Sequence, residues 1–195
     1  MQTNNLVLAS GSEYRKTLLD KLNLHFVCAQ PSIDESAKAL EPPTELALRL
    51  AEEKAKSLAL TYPKHFIIGS DQVAIINHTQ LYKPGNEQAA IEQLRMSSGK
   101  QVKFYTSVCV LDTTSNQLKS AIDICTVHFK NLSAHQIKHY INIEQPYNCA
   151  GSFKSEGLGI ALFERIEGND PNALIGLPLI KLIQLLQEFN IDVLS

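Results

Sequence analysis

The strongest constraint on the fold lies near the start of the chain, where a short apolar run leads directly into a turn and a helix signal. Leu6–Ala9 has the composition of a short buried strand, and the polar segment after it begins at Ser10. Ser10 and Glu13 have the S-x-x-E form of a helix capping box. The pattern predicts a strand, a tight turn and a helix that runs to about Leu24. The free backbone N–H groups at the positive end of such a helix suit an anion.

Further along the chain, helical and strand-like segments are mixed. The predicted helices cover residues 45–60, capped by Thr44, and 86–96, 133–143 and 178–189. The predicted strands cover 65–68, 73–76, 103–111, 120–130 and 160–166. A long hairpin beside a possible parallel pair favours a mixed α/β fold with two lobes and a central cleft. No repeat or linker is visible, so we expect one domain over residues 1–195.

Charge and cysteine usage exclude several classes of protein. Lys and Arg number 18 against 20 Asp and Glu, a net charge of -2, which argues against a nucleic-acid binder with a broad basic surface. No stretch approaches the ~20 apolar residues that span a bilayer. The cysteines are widely spaced without a C-x-x-C pair, and Cys109 and Cys125 lie in apolar runs typical of buried free thiols. We therefore expect a cytoplasmic protein, and a small phosphorylated ligand held in a local pocket is compatible with this net charge.

Two positions near predicted strand ends are candidates for chemistry. Asp71 follows an apolar strand and a Gly-Ser pair, where α/β folds place reactive groups, although an Asx-type turn has the same pattern. Ser10 and Arg15 are suited to phosphate capture, but an ordinary N-cap and a solvated arginine explain them as well. The local pattern leaves both interpretations open.

Isolated charged residues give weaker signals. Lys54 lies between two leucines on one helix face, so it either reaches the rim of the protein or points into a cleft. Lys83 alone is typical of a solvated lysine. Glu35 and Glu156 are either metal ligands or surface carboxylates.

Several long segments, taken in order, decide between these alternatives. They are LASGSEYRKTLL at 8–19, PSIDE at 31–35, LRLAEEKA at 48–55, IIGSDQV at 67–73, YKPGN at 82–86 and CAGSFKSEGLGIALFERIEGNDPNALIGLPL at 149–179. Together they resemble the Maf family of nucleotide pyrophosphatases over nearly the whole chain. The resemblance implies a two-lobed Maf/ITPase-like fold with a cleft, and hydrolysis of a nucleoside triphosphate to monophosphate and diphosphate. It also implies a divalent metal, Mg²⁺ or Mn²⁺, and a homodimer in many members.

The same resemblance implies a role for each matched residue. Asp71 is the expected proton acceptor, and Glu35 with Asp71 is expected to hold the metal. The expected phosphate-binding residues are Ser10, Arg15, Lys54 and Lys83. At position 13 this chain has Glu where the family usually has Pro.

The residues also indicate which substrate-specific branch of the family this chain resembles. Members that act on dTTP and UTP have G-A-D-T at the aspartate and a Gln in the later Gly-rich loop, whereas this chain has Gln72 and Glu156. It is similar to the branch that acts on 7-methyl-GTP and removes modified nucleotides, whose base-selecting positions correspond to Tyr14, Gln72 and Glu156. N7-methylation makes guanine cationic, so Glu156 could balance that charge or accept from N1–H and the 2-amino group. Tyr14 could stack on the ring, a contact of ~0.5–2 kcal/mol.

Two other functions compete with this one. The first is the same reaction on dTTP or UTP, which Gln72 and Glu156 disfavour. The second is a non-catalytic nucleotide-binding regulator of septum formation, an association that the family resemblance carries. Catalysis is favoured because the chain retains Asp71, Lys54, Lys83 and Glu35, and a pure binder needs no carboxylate to activate water.

Overall fold

A computed structural model describes residues 5–194 of the protein. Its strands are β1 Leu6–Ala9, β2 Phe26–Ala29, β3 Phe66–Ile76, β4 Thr79–Leu81, β5 Gln101–Asp112, β6 Gln117–Phe129 and β7 Phe163–Glu167. Its α-helices are α1 Glu13–Asp20, α2 Pro43–Ser57, α3 Glu87–Ser97, α4 Ala134–Glu144 and α5 Leu179–Glu188, and a 3₁₀ helix covers Leu158–Leu162. No helix within residues 5–194 is long and apolar enough to cross a membrane.

The strands form one mixed sheet in the order β2-β1-β3-β5-β6-β7, with β4 paired to β3. Strand β1 runs parallel to both β2 and β3, whereas β4 is antiparallel to β3 and β7 is antiparallel to β6. All residues of β1 are buried, as expected for a parallel strand covered on both faces. The predicted mixed α/β class is confirmed.

The described residues divide into two compact units. The first consists of those up to Gln72, Thr106–Asp123 and those from Asp170 onwards. The second consists of Val73–Tyr105 and Ile124–Asn169. Each unit has its own apolar core.

The core of the first unit follows the two-residue alternation of its strands. One face of β1, β3 and β5 packs on α1 and α5 through Leu6, Leu8, Ile68, Val108, Leu18, Leu19, Leu182 and Leu186. The opposite face packs on α2 through Val7, Ala9, Ile67, Cys109, Ala51 and Ala55. Because successive side chains of a strand point to opposite faces, neighbouring residues of β3 such as Ile67 and Ile68 reach different layers.

Phenylalanine rings dominate the core of the second unit. Phe153 contacts Phe104, Phe129 and Phe163 in edge-to-face pairs, with the ring centroids of Phe153 and Phe163 4.8 Å apart. Such pairs contribute about 0.5–1.5 kcal/mol each beyond their buried area. Since Phe153 belongs to the Gly-rich segment at 149–159, this cluster anchors one end of that segment.

Some predicted element boundaries are wrong. Helix α1 is capped by Ser12 rather than Ser10 and ends at Asp20, not near Leu24. Helix α2 has no side-chain cap at Thr44, because it begins with a proline, which needs no N–H partner in the first turn. Strand β3 is continuous through Asp71 rather than interrupted there.

Other local predictions are confirmed. Helix α4 begins with the predicted capping box of Ser133 and Gln136. Helix α5 buries Leu179, Leu182 and Leu186 as its spacing predicts. Cys109 and Cys125 are buried free thiols. These features depend on local sequence alone, so they could be predicted without knowledge of the sheet.

Candidate active site

The first unit brings a buried lysine together with two carboxylates. Lys54 Nζ lies 2.6 Å from Asp71 Oδ1 and 2.8 Å from Glu35 Oε1. Lys54 is 5% exposed and Asp71 8% exposed, whereas the side chain of Glu35 is 61% exposed. A buried ammonium group requires such partners, because a charge removed from water without them is costly. Of the two alternatives for Lys54, the structure therefore selects the inward one, and Asp71 is not part of an Asx turn.

The close approach of α2 to β3 makes this ion pair possible. A Cβ atom on Gly69 would lie 2.1 Å from the carbonyl oxygen of Ala51, so only glycine leaves room for the helix. Ser107 on β5 fixes the same contact, since its Oγ donates to the Ala47 carbonyl at 2.6 Å and accepts from the Asp71 N–H at 3.3 Å. The helix that carries Lys54 and the strand that carries Asp71 are thus joined through their backbones.

A single backbone carbonyl orients Arg15. Arg15 Nε donates to the Gly176 carbonyl at 2.9 Å, and Ser70 Oγ donates to the same oxygen at 3.1 Å. Gly176 has a φ of 136°, a conformation that favours glycine. Burial lowers the pKa of Arg15, while the negative charges of Asp71 and Glu35 act in the opposite direction. The guanidinium group therefore lies within the electrostatic field of both carboxylates.

The turn between β1 and α1 uses its serines differently from the prediction. Ser10 is buried and its Oγ accepts from the Ser12 N–H at 3.1 Å, while Ser12 Oγ caps the helix by accepting from the Arg15 N–H at 3.4 Å. Glu13 occupies the first helical position, where a proline would fit equally well. The turn borders a surface depression of about 470 Å³. A serine hydroxyl can both accept and donate, so Ser10 Oγ can also donate its proton.

Gln72 is held in one orientation by three acceptors. Its Nε2 lies 3.0 Å from Thr106 Oγ1, 3.0 Å from the Ala173 carbonyl and 3.1 Å from the Leu174 carbonyl. Because these carbonyls can only accept, the amide must present nitrogen to them and direct Oε1 away. Gln72 therefore offers a fixed acceptor. Tyr14, the other expected base-selecting residue of this unit, is partly exposed on α1.

Lys83 belongs to the second unit, on the exposed loop between β4 and α3. This loop is held by the bond from the Gly85 N–H to the Tyr147 carbonyl at 2.9 Å. Gln93 Nε2 on α3 also donates to the Tyr82 carbonyl at 2.9 Å. The backbone on either side of Lys83 is therefore fixed while its side chain faces solvent.

Glu156 also belongs to the second unit and is exposed. Glu144, at the end of α4, accepts from the Leu158 N–H at 2.6 Å, and Lys154 Nζ donates to the Glu144 carbonyl at 2.5 Å. A Cβ atom on Gly157 would lie 2.6 Å from Glu144 Oε1. The glycine thus allows Glu144 to approach the backbone directly after Glu156.

Sequence reasoning missed three residues that support the candidate residues within each unit. Ser107, Gly176 and Glu144 act through backbone contacts between segments distant in sequence. Of these three residues, only Gly176 had a local sequence signal. It lies between an apolar residue and the start of α5, a position typical of a turn.

The carboxylate oxygens of Glu35 and Asp71 in the first unit are the kind of ligand that a divalent cation binds. No group of three or more His, Cys, Asp or Glu side chains in residues 5–194 is arranged to hold a metal ion. Glu35 and Asp71 each place one carboxylate oxygen against Lys54 Nζ, and the second oxygen of each carboxylate is not part of these two ion pairs. Mg²⁺ is commonly bound through one or two carboxylates plus water and substrate phosphates, so this pair is sufficient as the protein's share.

Comparison with known sequences shows which protein family this chain belongs to. The sequence model described as Maf-like protein matches residues 5–189. The chain belongs to the Maf family. This Maf protein is 53% identical over 190 residues to a Colwellia psychrerythraea protein named 7-methyl-GTP pyrophosphatase, covering 97% of this chain and 95% of that one. A Pseudoalteromonas translucida protein of the same name is 54% identical, covering 97% and 94% of the two chains. An Alcanivorax borkumensis protein of that name is 53% identical over 185 residues, covering 95% and 94%.

A solved structure extends the comparison to the fold. The Maf protein is similar to the Staphylococcus aureus Ham1 protein with a TM-score of 0.53 and 15% identity, over 96% of this chain and 100% of that chain. At that identity the likeness shows a common fold, and it confirms the predicted ITPase-like architecture.

Proposed function

We propose that this Maf protein hydrolyses 7-methyl-GTP to 7-methyl-GMP and diphosphate. The observation that carries the proposal is the buried cluster of Lys54, Asp71 and Glu35. It lies in a chain more than half identical, over nearly its whole length, to proteins named for that reaction.

The basic residues are assigned to the phosphate chain. Arg15 is held at Nε by the Gly176 carbonyl, and the rest of its planar fork is suited to bidentate contact with phosphate oxygens. Lys54 directs two of its three N–H groups at carboxylates, which leaves the third for a phosphate oxygen. Ser10 would donate its hydroxyl proton, and Lys83 would add a further positive charge.

Asp71 is assigned to the attacking water. A divalent cation, Mg²⁺ or Mn²⁺, held by Glu35 and Asp71 would neutralise phosphate charge and lower the pKa of a bound water. The water oxygen bonds to the α-phosphorus, the bond to the diphosphate oxygen breaks, and Asp71 accepts the water proton. Aspartate side chains are weak bases at neutral pH, but the loose transition state of phosphoryl transfer needs little base strength.

The proposed preference for the 7-methylguanine nucleobase depends on Glu156, Gln72 and Tyr14. Glu156 would balance the positive charge of 7-methylguanine, which GTP, dTTP and UTP lack. Gln72 would present its fixed Oε1 as an acceptor, and Tyr14 would stack on the electron-poor ring. The specificity therefore has an electrostatic origin.

Diphosphate release from a panel of nucleotides tests the proposal. We expect kcat/KM for 7-methyl-GTP to exceed that for GTP, dTTP and UTP by at least about 10-fold, the ratio that corresponds to 1.4 kcal/mol. Glu156→Gln should reduce this preference while leaving hydrolysis of GTP unchanged. A preference for dTTP or UTP would support the other branch of the family, and no release from any nucleotide would support a non-catalytic regulator.

Two accompanying expectations remain predictions. The protein is expected to be a cytoplasmic homodimer, as implied by the resemblance and the reduced cysteines. Sedimentation equilibrium of the purified chain should give a mass near twice the monomer's 21.6 kDa. A monomeric mass at micromolar concentration would contradict the dimer.

A further inference from the structure

Glu35 lies in a segment that has no helix or strand of its own. Residues 31–42 connect β2 to α2 without regular secondary structure, and the side chain of Glu35 is 61% exposed. An exposed side chain on an irregular segment is mobile unless other contacts hold its backbone. The contact of Glu35 with Lys54 at 2.8 Å therefore depends on what fixes this segment against α2.

Arg49, five residues before Lys54 on α2, provides such contacts. Its Nε lies 2.6 Å from Glu41 Oε1 and its Nη2 lies 2.8 Å from Glu41 Oε2, a bidentate pair. Its Nη2 also donates to the Ser36 carbonyl at 3.0 Å, and its Nη1 donates to Glu53 Oε2 at 3.0 Å. One guanidinium group thus joins both the residue after Glu35 and the end of the segment to the helix.

The Arg49–Glu41 pair is largely shielded from water, and Glu41 accepts one further hydrogen bond. The side chains of Arg49 and Glu41 are only 16% and 7% exposed, and Glu41 Oε2 also accepts from the Lys38 N–H at 2.9 Å. The hydrogen bonds from Arg49 lower the pKa of Glu41 to about 2, so the pair remains ionised at any working pH. Bidentate, charge-assisted pairs fix geometry as well as adding energy.

We propose that Arg49 is a positioning residue that holds Glu35 beside Asp71 and thereby sets the affinity of the site for a divalent cation. The proposal rests on the metal assignment made with the proposed function. Arg49 touches neither the substrate nor the cation; it acts through the backbone of Ser36 and the carboxylate of Glu41. A role limited to stabilising α2 would affect folding without affecting cation affinity.

Helix α2 supplies a matched control. Lys56 Nζ lies 3.1 Å from Glu52 Oε2, an i,i+4 ion pair between two residues of the helix itself. Lys56→Gln removes one charge and one i,i+4 ion pair from α2, as Arg49→Gln does through its pair with Glu53, but leaves the contacts of the 31–42 segment in place. A difference between the two variants therefore reports on that segment.

The test is a Mn²⁺ titration of the purified full chain without nucleotide, followed by electron paramagnetic resonance of the free ion. We expect Arg49→Gln to raise the Kd for Mn²⁺ by about 10-fold or more, as loss of outer-shell partners of metal ligands typically does. Lys56→Gln should leave the Kd unchanged, and Glu35→Gln should raise it at least as much as Arg49→Gln. Arg49→Lys, which keeps the charge but loses the fork, should also weaken binding, and it keeps the test possible if Arg49→Gln does not fold.

A second readout separates positioning from chemistry. At saturating Mn²⁺, kcat of Arg49→Gln should return to within about 3-fold of the wild type, while amide hydrogen exchange at residues 34–41 becomes faster. A Kd for Mn²⁺ equal to that of Lys56→Gln would overturn the proposal, as would a Kd that Glu35→Gln does not change. Because the titration uses no nucleotide, failure to hydrolyse 7-methyl-GTP would contradict the proposed function alone.

Discussion

At the scale of single residues, the central feature is a buried lysine whose charge is balanced by Asp71 and Glu35. Lys54 and Asp71 are both nearly inaccessible to water, so each depends on the other for its charge to be tolerated. Removal of one partner from such a pair leaves an uncompensated buried charge, which costs about 3–5 kcal/mol. This dependence gives the pair a structural role in addition to its proposed catalytic one.

The first prediction follows from this coupling. Lys54→Met should lower the thermal unfolding temperature and reduce kcat/KM for 7-methyl-GTP by at least ~100-fold, because Asp71 loses its counter-charge and the phosphates lose a cation. The double variant Lys54→Met with Asp71→Asn should recover most of the unfolding temperature but none of the activity. If the two substitutions instead destabilise additively, the coupling inferred from the 2.6 Å contact is wrong.

The sequence indicated the candidate charged residues but not the residues that support them. Lys54 and Asp71 were predictable from motifs, because chemistry restricts which residue types stand there. The role of Ser107 depends on β5 lying beside β3, a long-range pairing with no local signature. Asp71 was expected at a strand end because Gly-Ser-Asp is typical of a turn, whereas pairing within the sheet keeps the strand continuous through it.

At the scale of elements, the packing of α2 on β3 determines whether the lysine reaches the aspartate. Gly69 is the contact point, with the Ala51 carbonyl where its Cβ would be. The helix predicted from its leucine spacing was correct in its inward face, since Leu50 and Lys54 are both buried. What the spacing could not give was the separation between helix and sheet.

The second prediction concerns this separation. Gly69→Ala should destabilise the protein by about 1–3 kcal/mol, the usual effect of overpacking, and should reduce activity further than its stability loss explains. Displacement of α2 would lengthen the Lys54–Asp71 contact, so kcat should fall more than KM rises. Gly168→Ala is the control, because its Cβ would lie 3.3 Å from Cys125 Sγ and need only a small adjustment. Equal effects of the two variants on kcat would contradict the packing argument.

A third prediction concerns the loop that presents Glu156. Glu144→Gln keeps the shape of the side chain but weakens its bond to the Leu158 N–H and removes its ion pair with Lys154. We expect the KM for 7-methyl-GTP to rise about 3–10-fold with little change in kcat, because a charge-assisted bond becomes a neutral one. The KM for GTP should change less, and an equal rise for both nucleotides would contradict a role in base selection.

At the scale of the whole molecule, the ionised carboxylate of Asp123 lowers the free energy of unfolding. Asp123 on β6 is 3% exposed, and its Oδ1 has no hydrogen-bond partner among residues 5–194. Burial raises the pKa of Asp123, the charge of Asp170 raises it further, and Lys181 lowers it. An unpaired buried carboxylate is costly once ionised, so the folded state prefers the protonated form.

The fourth prediction is a pH dependence with a definite sign. Because the pKa of Asp123 is higher in the folded state, the folded protein binds more protons, and stability falls as pH rises from the ordinary aspartate range through the raised pKa. Asp123→Asn should therefore raise the unfolding temperature at pH 7, by about 2–4 °C for each kcal/mol relieved, with the gain vanishing near pH 3.

Asp170 is the contrasting control for this measurement. Its carboxylate accepts from the Asn172 N–H at 2.8 Å and from the Ile180 N–H at 2.6 Å, at the start of α5. Asp170→Asn should lower the unfolding temperature, since it weakens these bonds. A stabilising Asp170→Asn, or a destabilising Asp123→Asn at pH 7, would show that burial is not the dominant effect.

Asp71 is proposed to accept the proton of the water that attacks the α-phosphorus of 7-methyl-GTP. The most direct test measures diphosphate release from 7-methyl-GTP in ¹⁸O-labelled water, with Mg²⁺, by the wild type and by Asp71→Asn. The wild type should place the label in 7-methyl-GMP and release unlabelled diphosphate, and Asp71→Asn should be at least ~100-fold slower. Label in the diphosphate, or a near-wild-type rate for Asp71→Asn, would contradict the account.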